Sequence, residues 1–282
     1  MMEVSRVFLK DHYPFLDEDG KNPYVDIYLP YNLAEINRQD DRRPTMVVCP
    51  GGAYMMCSER ESEPIALKFL DIGFNVFVLT YSVLPHRYPS QVSEVAALFY
   101  YINKNAEAFH CDTEKIGIIG FSAGGHLAAH YSNLWDDDII RERFGATYRP
   151  AASVLCYPVI STVNPHRGSF INLIGHFPEN EDEINRFSCE KLVGKQTPPT
   201  FLFHTFADTT VPVQNSLYYA SALADNGIPF EAHIYPDGWH GLATSDSLSV
   251  EDPNDKLIYA SDWVIKVKRW LNVLFDLKLG GI

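Results

Sequence analysis

The chain exchanges two hydrophobic rhythms, and that exchange limits its fold more than any other feature. Short apolar runs at 45–49 (TMVVC), 75–81 (NVFVLTY), 115–119 (KIGII), 153–159 (SVLCYPV) and 200–205 (TFLFHT) read as strands, and 231–235 (EAHIY) reads as a further one. Between them, 63–70, 92–109, 123–133 and 213–226 carry apolar residues at the three- and four-residue spacing of helices, and 256–274 closes the chain as another. Unbroken apolar runs are strands covered on both faces, and an intervening helix is what a parallel pair needs for its crossover. The expected class is therefore α/β, a mostly parallel central sheet flanked by helices. Segments 4–9 and 24–29 read as strands with no helix between them, so they form an antiparallel N-terminal edge. Residues 161–199 break the alternation and are rich in Asn, Pro, Gly and His, which reads as a small lid-like insertion beside the site. No internal repeat is visible, and a single domain over 1–282 is the simplest account.

Composition narrows the partners. Lys and Arg number 23 against 36 Asp and Glu, a net charge of −13. Such a chain repels phosphate backbones and anionic headgroups, so neither nucleic acid nor membrane is an expected partner. The N-terminus has no basic stretch leading into an apolar one, no run approaches about 18 apolar residues, and a cytoplasmic location is expected. The five cysteines (Cys49, Cys57, Cys111, Cys156, Cys189) are odd in number and lack CxxC spacing. That pattern suits free thiols in a reducing compartment, with no metal site and no cofactor.

The residues with chemistry fall at strand ends. Gly120-Phe121-Ser122-Ala123-Gly124 is a G-x-S-x-G between the strand KIGIIGF and the helix AGGHLAAHYSN. A serine there occupies a sharp turn that small residues at 120 and 124 permit, with its hydroxyl above the sheet edge and a helix N-terminus beside it. Capping of that helix is the alternative role. A hydroxyl attacks only when a base takes its proton, and in this architecture the chain order is Ser, acid, His. His240, in the loop PDGWHG after strand 231–235, is the expected base, while His233 inside that strand suits packing or the surface. Asp208, between strand 200–205 and Pro212, is the expected acid; Asp237, three residues from His240, is its competitor. Oxyanion donors are expected from the backbone of Ala123 and of Gly51, Gly52 and Ala53 in the loop after strand 45–49. A plain glycine turn is the other reading of that loop.

Taken together, CPGGAY (49–54), GFSAGGHLA (120–128), HTFADTTVP (204–212) and YPDGWHG (235–241) resemble the α/β-hydrolase superfamily. Within it the chain is similar to small esterases with an HGG-type oxyanion loop, including acetyl-xylan and sugar-ester esterases. The resemblance covers nearly all of the chain after residue 45. It implies hydrolysis of short-chain acyl esters through an acyl-serine, with an acetylated sugar as substrate. One departure stands out: the loop begins Cys49-Pro50 where many relatives carry His-Gly or His-Pro, so the histidine that often braces it is absent.

Tyr54, His86, Tyr88 and Trp239 flank the expected site, where they would stack on a sugar ring or serve as core. His126 and His130, four apart on one helix without the glutamate of a zinc-protease motif, are expected to pack that helix. The acidic run 136–138 reads as a solvated helix terminus. Two other functions remain open. A serine peptidase of the prolyl-oligopeptidase kind shares the triad order and would prefer proline-containing dipeptides over acetyl esters. A non-catalytic binding protein on the same fold would fail to react with an organophosphonate. An exposed lid or edge strand would let two copies pair as a homodimer.

Overall fold

The structure, a computed structural model, describes residues 2–16, 23–250 and 257–277. Strand β1 (Glu3–Phe8) and a short helix α1 (Leu9–His12) precede β2 (Tyr24–Leu29) and β3 (Arg43–Cys49). There follow α2 (Glu63–Leu70), β4 (Asn75–Thr80), α3 (Ser90–Lys104), β5 (Cys111–Phe121), α4 (Ser122–Leu134), α5 (Asp138–Phe144) and β6 (Ala152–Cys156). The remainder is α6 (Arg167–Ile174), α7 (Glu181–Phe187), β7 (Thr200–Thr205), α8 (Gln214–Asp225), β8 (Phe230–Tyr235) and α9 (Trp263–Phe275).

The strands form one eight-stranded sheet in the order β1-β2-β4-β3-β5-β6-β7-β8. Strands β3 to β8 run parallel. β1 pairs with β2, and β2 with β4, antiparallel, which is the expected edge. Side-chain alternation along β3 feeds two cores. Val47 and Cys49 join the apolar faces of α3, α4 and α8; Met46 and Val48 join those of α2 and α9. α9 buries Trp263, Val264, Val267, Leu271 and Phe275 at helical spacing. Trp263 stacks on Phe203 of β7 with ring centroids 5.0 Å apart. Burying each side chain of this size contributes about 1.5–3 kcal/mol. Lys256, the first residue of the expected last helix, lies outside the described residues. From Leu257 to Asp262 the chain makes a 3-10 turn before α9.

At 161–199 the structure differs from expectation. α6, α7 and a 3-10 turn (Cys189–Lys191) make this segment the β6–β7 crossover, so the alternation is kept. Helices of seven or eight residues with Gly and Asn inside them are too short for a 3.6-residue period to show. The crossover docks on α4 through two histidines: His126 Nε2 lies 2.9 Å from Phe187 O, and His130 Nε2 2.9 Å from Arg186 O. All five cysteines are free thiols, four buried and Cys57 half-buried. Among the described residues no helix is long and apolar enough to cross a membrane.

Candidate active site

The C-terminal ends of β3, β5, β7 and β8 share one rim. β3 is followed by β4 on one side and flanked by β5 on the other, so the sheet's switch point lies between β3 and β5, where such sheets open their crevice. β5 delivers Ser122. Phe121 is extended, Ser122 takes φ +52°, and α4 starts at once. This left-handed turn is strained for a residue with a side chain. It also demands close packing: a Cβ on Gly120 would lie 2.1 Å from Gly124 O, and one on Gly124 2.2 Å from Cys49 O. The first glycine lets α4 approach its own strand, and the second lets it touch the end of β3.

Asp208 sits in the turn after β7. Its Oδ1 accepts the N–H groups of Thr210 and Val211, both at 2.9 Å. Its Oδ2 faces His240 Nδ1 at 2.6 Å, with Nε2 of buried His204 3.4 Å away. His240, on the β8–α9 connection, brings Nε2 to 2.7 Å from Ser122 Oγ. A carboxylate only accepts, so Nδ1 carries the imidazole proton and Nε2 is left to accept the serine O–H. Burial pushes the Asp208 carboxyl up, but hydrogen bonds from His204 and His240, the His240 charge and the Val211 N–H outweigh it and hold the group well below the usual carboxylate range. Asp237 is exposed, and the nitrogen it would need is occupied by Asp208. His233 bonds Glu231 on the edge strand, 2.7 Å away.

Two of the expected loop donors are free. The N–H groups of Gly52 and Ala53 have no acceptor among the described residues. Ala123, second in α4, carries one of the first-turn amides that a helix leaves without an internal partner. Gly51 differs from expectation, because its N–H is given to Glu61 Oε2 at 2.7 Å. Gly52, Ala53 and Tyr54 all have positive φ (+127°, +55°, +58°). Three bonds hold that run in place: Asn172 Nδ2 to Ala53 O at 2.8 Å, Leu84 N to Tyr54 O at 2.9 Å, and Tyr81 Oη to Pro50 O at 2.6 Å.

A model of the BD-FAE family matches residues 25–223, a span that includes the glycine loop, Ser122 and Asp208. The chain belongs to that family. It is similar to endo-1,4-beta-xylanase B of Butyrivibrio fibrisolvens, 37% identical over 230 residues, which is 78% of this chain and 35% of that one. It is also similar to the acetylxylan esterase of Xylanibacter ruminicola, 32% identical over 234 residues, 80% of this chain and 45% of that one. The chain thus spans less than half the length of these curated relatives. Among solved structures it resembles the acetyl ester-xyloside bifunctional hydrolase from Caldicellulosiruptor lactoaceticus, with a TM-score of 0.81, 34% identity and 96% of each chain covered. The fold is that of the α/β hydrolases.

In this BD-FAE member the four aromatic residues expected to flank the site divide. Trp239 is 42% exposed beside His240. Tyr54 is buried with its hydroxyl 2.8 Å from His126 Nδ1. Tyr88 packs edge-on against Phe187 and is held by Arg186. His86 is buried as well. Other groups behind the rim were not singled out beforehand. His204 sits under Asp208, its Nδ1 bonded to Ser216 and its Nε2 to Val211 O. His166, half-buried on the crossover, has its pKa lowered by burial and then by the nearby His240 charge. Glu61 and Tyr157 are buried beneath the glycine loop and bond to each other at 2.8 Å. An apolar strand pattern does not reveal such groups, except that His204 inside TFLFHT is a polar residue in a buried strand.

Proposed function

We propose that this chain is a serine carboxylesterase that removes short acyl groups, acetyl above all, from carbohydrate hydroxyls through an acyl-Ser122 intermediate. The observation that carries the reading is His240, with one ring nitrogen 2.6 Å from Asp208 and the other 2.7 Å from Ser122 Oγ. His240 Nε2 takes the serine proton as Oγ bonds to the ester carbonyl carbon, and the carbonyl π pair moves onto oxygen. The N–H groups of Ala123, Gly52 and Ala53 receive that oxyanion; each such donor is typically worth about 100- to 1,000-fold in rate. Collapse breaks the bond to the sugar oxygen, which leaves with the proton from His240. Water then attacks the acyl-enzyme with His240 again as base, releasing the acid and restoring Ser122. Asp208 stays ionised throughout and steadies the imidazolium. The carbohydrate part of the reading is supported by the names of the xylan-directed relatives and by the exposed face of Trp239, a surface on which a pyranose can stack.

The test uses p-nitrophenyl acetate, longer p-nitrophenyl esters and acetylated xylo-oligosaccharides. Wild type is expected to release acetate from the last, and Ser122→Ala to lose at least about 1,000-fold in kcat. Near-wild-type turnover by Ser122→Ala defeats the serine mechanism. Turnover of p-nitrophenyl acetate without release of acetate from the oligosaccharides removes the carbohydrate assignment alone.

A further inference from the structure

Glu61 is a buried acid with no place in the mechanism above. It closes the 3-10 turn Glu59–Glu61 after the glycine loop and is only 3% exposed. A lone carboxylate in such surroundings is costly unless hydrogen-bonded, and both of its oxygens are. Oε2 accepts the Gly51 N–H at 2.7 Å, and Oε1 accepts the Tyr157 hydroxyl at 2.8 Å. The phenol oxygen in turn accepts the N–H of Ala243, three residues past His240, at 2.9 Å. The Tyr157 ring meets the His240 ring edge to face, with centroids 5.1 Å apart. Gly51 has no slack on its other side. A Cβ there would lie 2.7 Å from Glu61 Oε2, 2.8 Å from Phe121 O and 3.0 Å from Ser122 Cβ.

We infer that Glu61 is a positioning residue for the reaction: one carboxylate presses the oxyanion loop onto the turn at Ser122 and, through Tyr157, sets the loop that bears His240. It does for Gly51 what the absent histidine before the glycines does in the related loops, and it reaches the base as well. Burial raises the Glu61 carboxyl above the usual carboxylate range, and the donors from Tyr157 and Gly51 and the charges of His240 and Arg60 draw it only part of the way back. Two donors converging on two oxygens suit the ionised form, since a protonated carboxyl giving its proton to the Tyr157 oxygen would take away the acceptor of the Tyr157 O–H.

The inference rests on the proposed esterase mechanism, and the variants are chosen so that the two fail separately. Glu61→Ala removes both acceptors. Glu61→Gln keeps the shape, and its amide oxygen can still receive the Gly51 N–H, leaving only the Tyr157 hydroxyl without its acceptor. Tyr157→Phe cuts the branch toward His240 and leaves the one to Gly51. Each is assayed with p-nitrophenyl acetate, with kcat divided by the fraction of protein labelled by a fluorophosphonate and Tm recorded alongside. Expected is a kcat per labelled site about 10- to 100-fold down in Glu61→Ala, partly restored in Glu61→Gln, and lowered in Tyr157→Phe, with KM within about twofold in all three. A residue that only supports the fold would lower Tm and the labelled fraction while the remaining sites turned over normally. Wild-type kcat per site in Glu61→Ala overturns the inference, as does a loss confined to KM. If Glu61→Ala does not fold, wild-type kcat in both other variants overturns it. Activity surviving Ser122→Ala would instead defeat the esterase reading itself.

Discussion

Replacing Gly124 with alanine probes the contact on which the turn at Ser122 depends. The added Cβ would stand 2.2 Å from Cys49 O, 2.3 Å from Pro50 O and 2.7 Å from Pro50 C. All three are backbone atoms, so no side chain can swing aside. Ordinary contact begins near 3.4 Å, which means that α4 and the end of β3 must part by about 1 Å. Overpacking of this kind costs about 1–3 kcal/mol. In a chain of this size that lowers Tm by about 2–4 °C per kcal/mol. Pro50 leads straight into the Gly52 and Ala53 amides, so the same displacement enters the distance from those donors to Ser122. A misplacement of about 1 Å in a reacting geometry costs about 100-fold in rate. Gly124→Ala should therefore fold, melt several degrees lower, and show kcat for p-nitrophenyl acetate down about 100-fold with KM little changed. The assay is steady-state kinetics scaled to fluorophosphonate-labelled sites, with calorimetry beside it. A variant with the kcat and Tm of wild type would refute the argument that this glycine is dictated by contact.

Two further outcomes follow from the same geometry. Asp208→Asn keeps the shape, but its amide can donate to Nδ1 and place the imidazole proton on Nε2, where the base must be bare; kcat should fall about 10,000-fold with KM retained. Wild-type kcat there, or an equal loss in Asp237→Asn, would move the acid elsewhere. His126 is buried and its pKa is lowered to about 4, by burial first and against the pull of Phe187 O. The unfolded chain takes up that proton near pH 6.5, so between about 6.5 and 4 it binds more protons than the native state. Stability from this group is full above about pH 6.5 and declines as pH falls through that window, by up to about 1.4 kcal/mol per pH unit. His130 is shifted in the same direction, again mainly by burial. Calorimetry should show Tm level from pH 7.5 to about 6.5 and falling from there to 4.5, and a Tm that stays flat below about pH 6.5 would contradict the account.

The fold was legible because a parallel sheet covered on both faces prints its strands as unbroken apolar runs, as β3, β4 and β7 do. Boundaries were harder. β6 reads to 159 from hydrophobicity but ends at Cys156, because Tyr157 turns to φ +37° and Pro158 follows while the residues stay buried. That departure from the strand is what aims the phenol at Glu61. α3 reads to 109 but stops at Lys104, where Asn105 bonds its amide back to Tyr101 O. The meeting of Ser122, Asp208 and His240 was legible from chain order and strand ends, both properties of topology. Glu61 was not. Its two partners lie 10 and 96 residues away, and a charged residue in a short polar turn looks solvated until its neighbours are known.

Backbone strain gives the arrangement a common cause. Ten non-glycine residues have positive φ among the described residues, and six of them are Ala53, Tyr54, Ser122, Tyr157, Ala243 and Ser245. These six lie on the four connections that follow β3, β5, β6 and β8, each of which feeds the rim. Such conformations cost about 1–3 kcal/mol apiece and persist only where their surroundings over-determine them. The restraints are visible: Ser122 O accepts Val159 N at 3.0 Å, Tyr157 N donates to Phe203 O at 2.6 Å, Ala53 O is held by Asn172, and Ala243 N by the Tyr157 hydroxyl. Most of these come from 157–172, well after β3 and β5 in the chain. The glycine loop and the turn at Ser122 therefore cannot reach their final geometry from their own strands alone. They are completed when the β6–β7 crossover docks on α4, which gives the buried contacts of His126 and His130 with that crossover a bearing on the site as well as on the core.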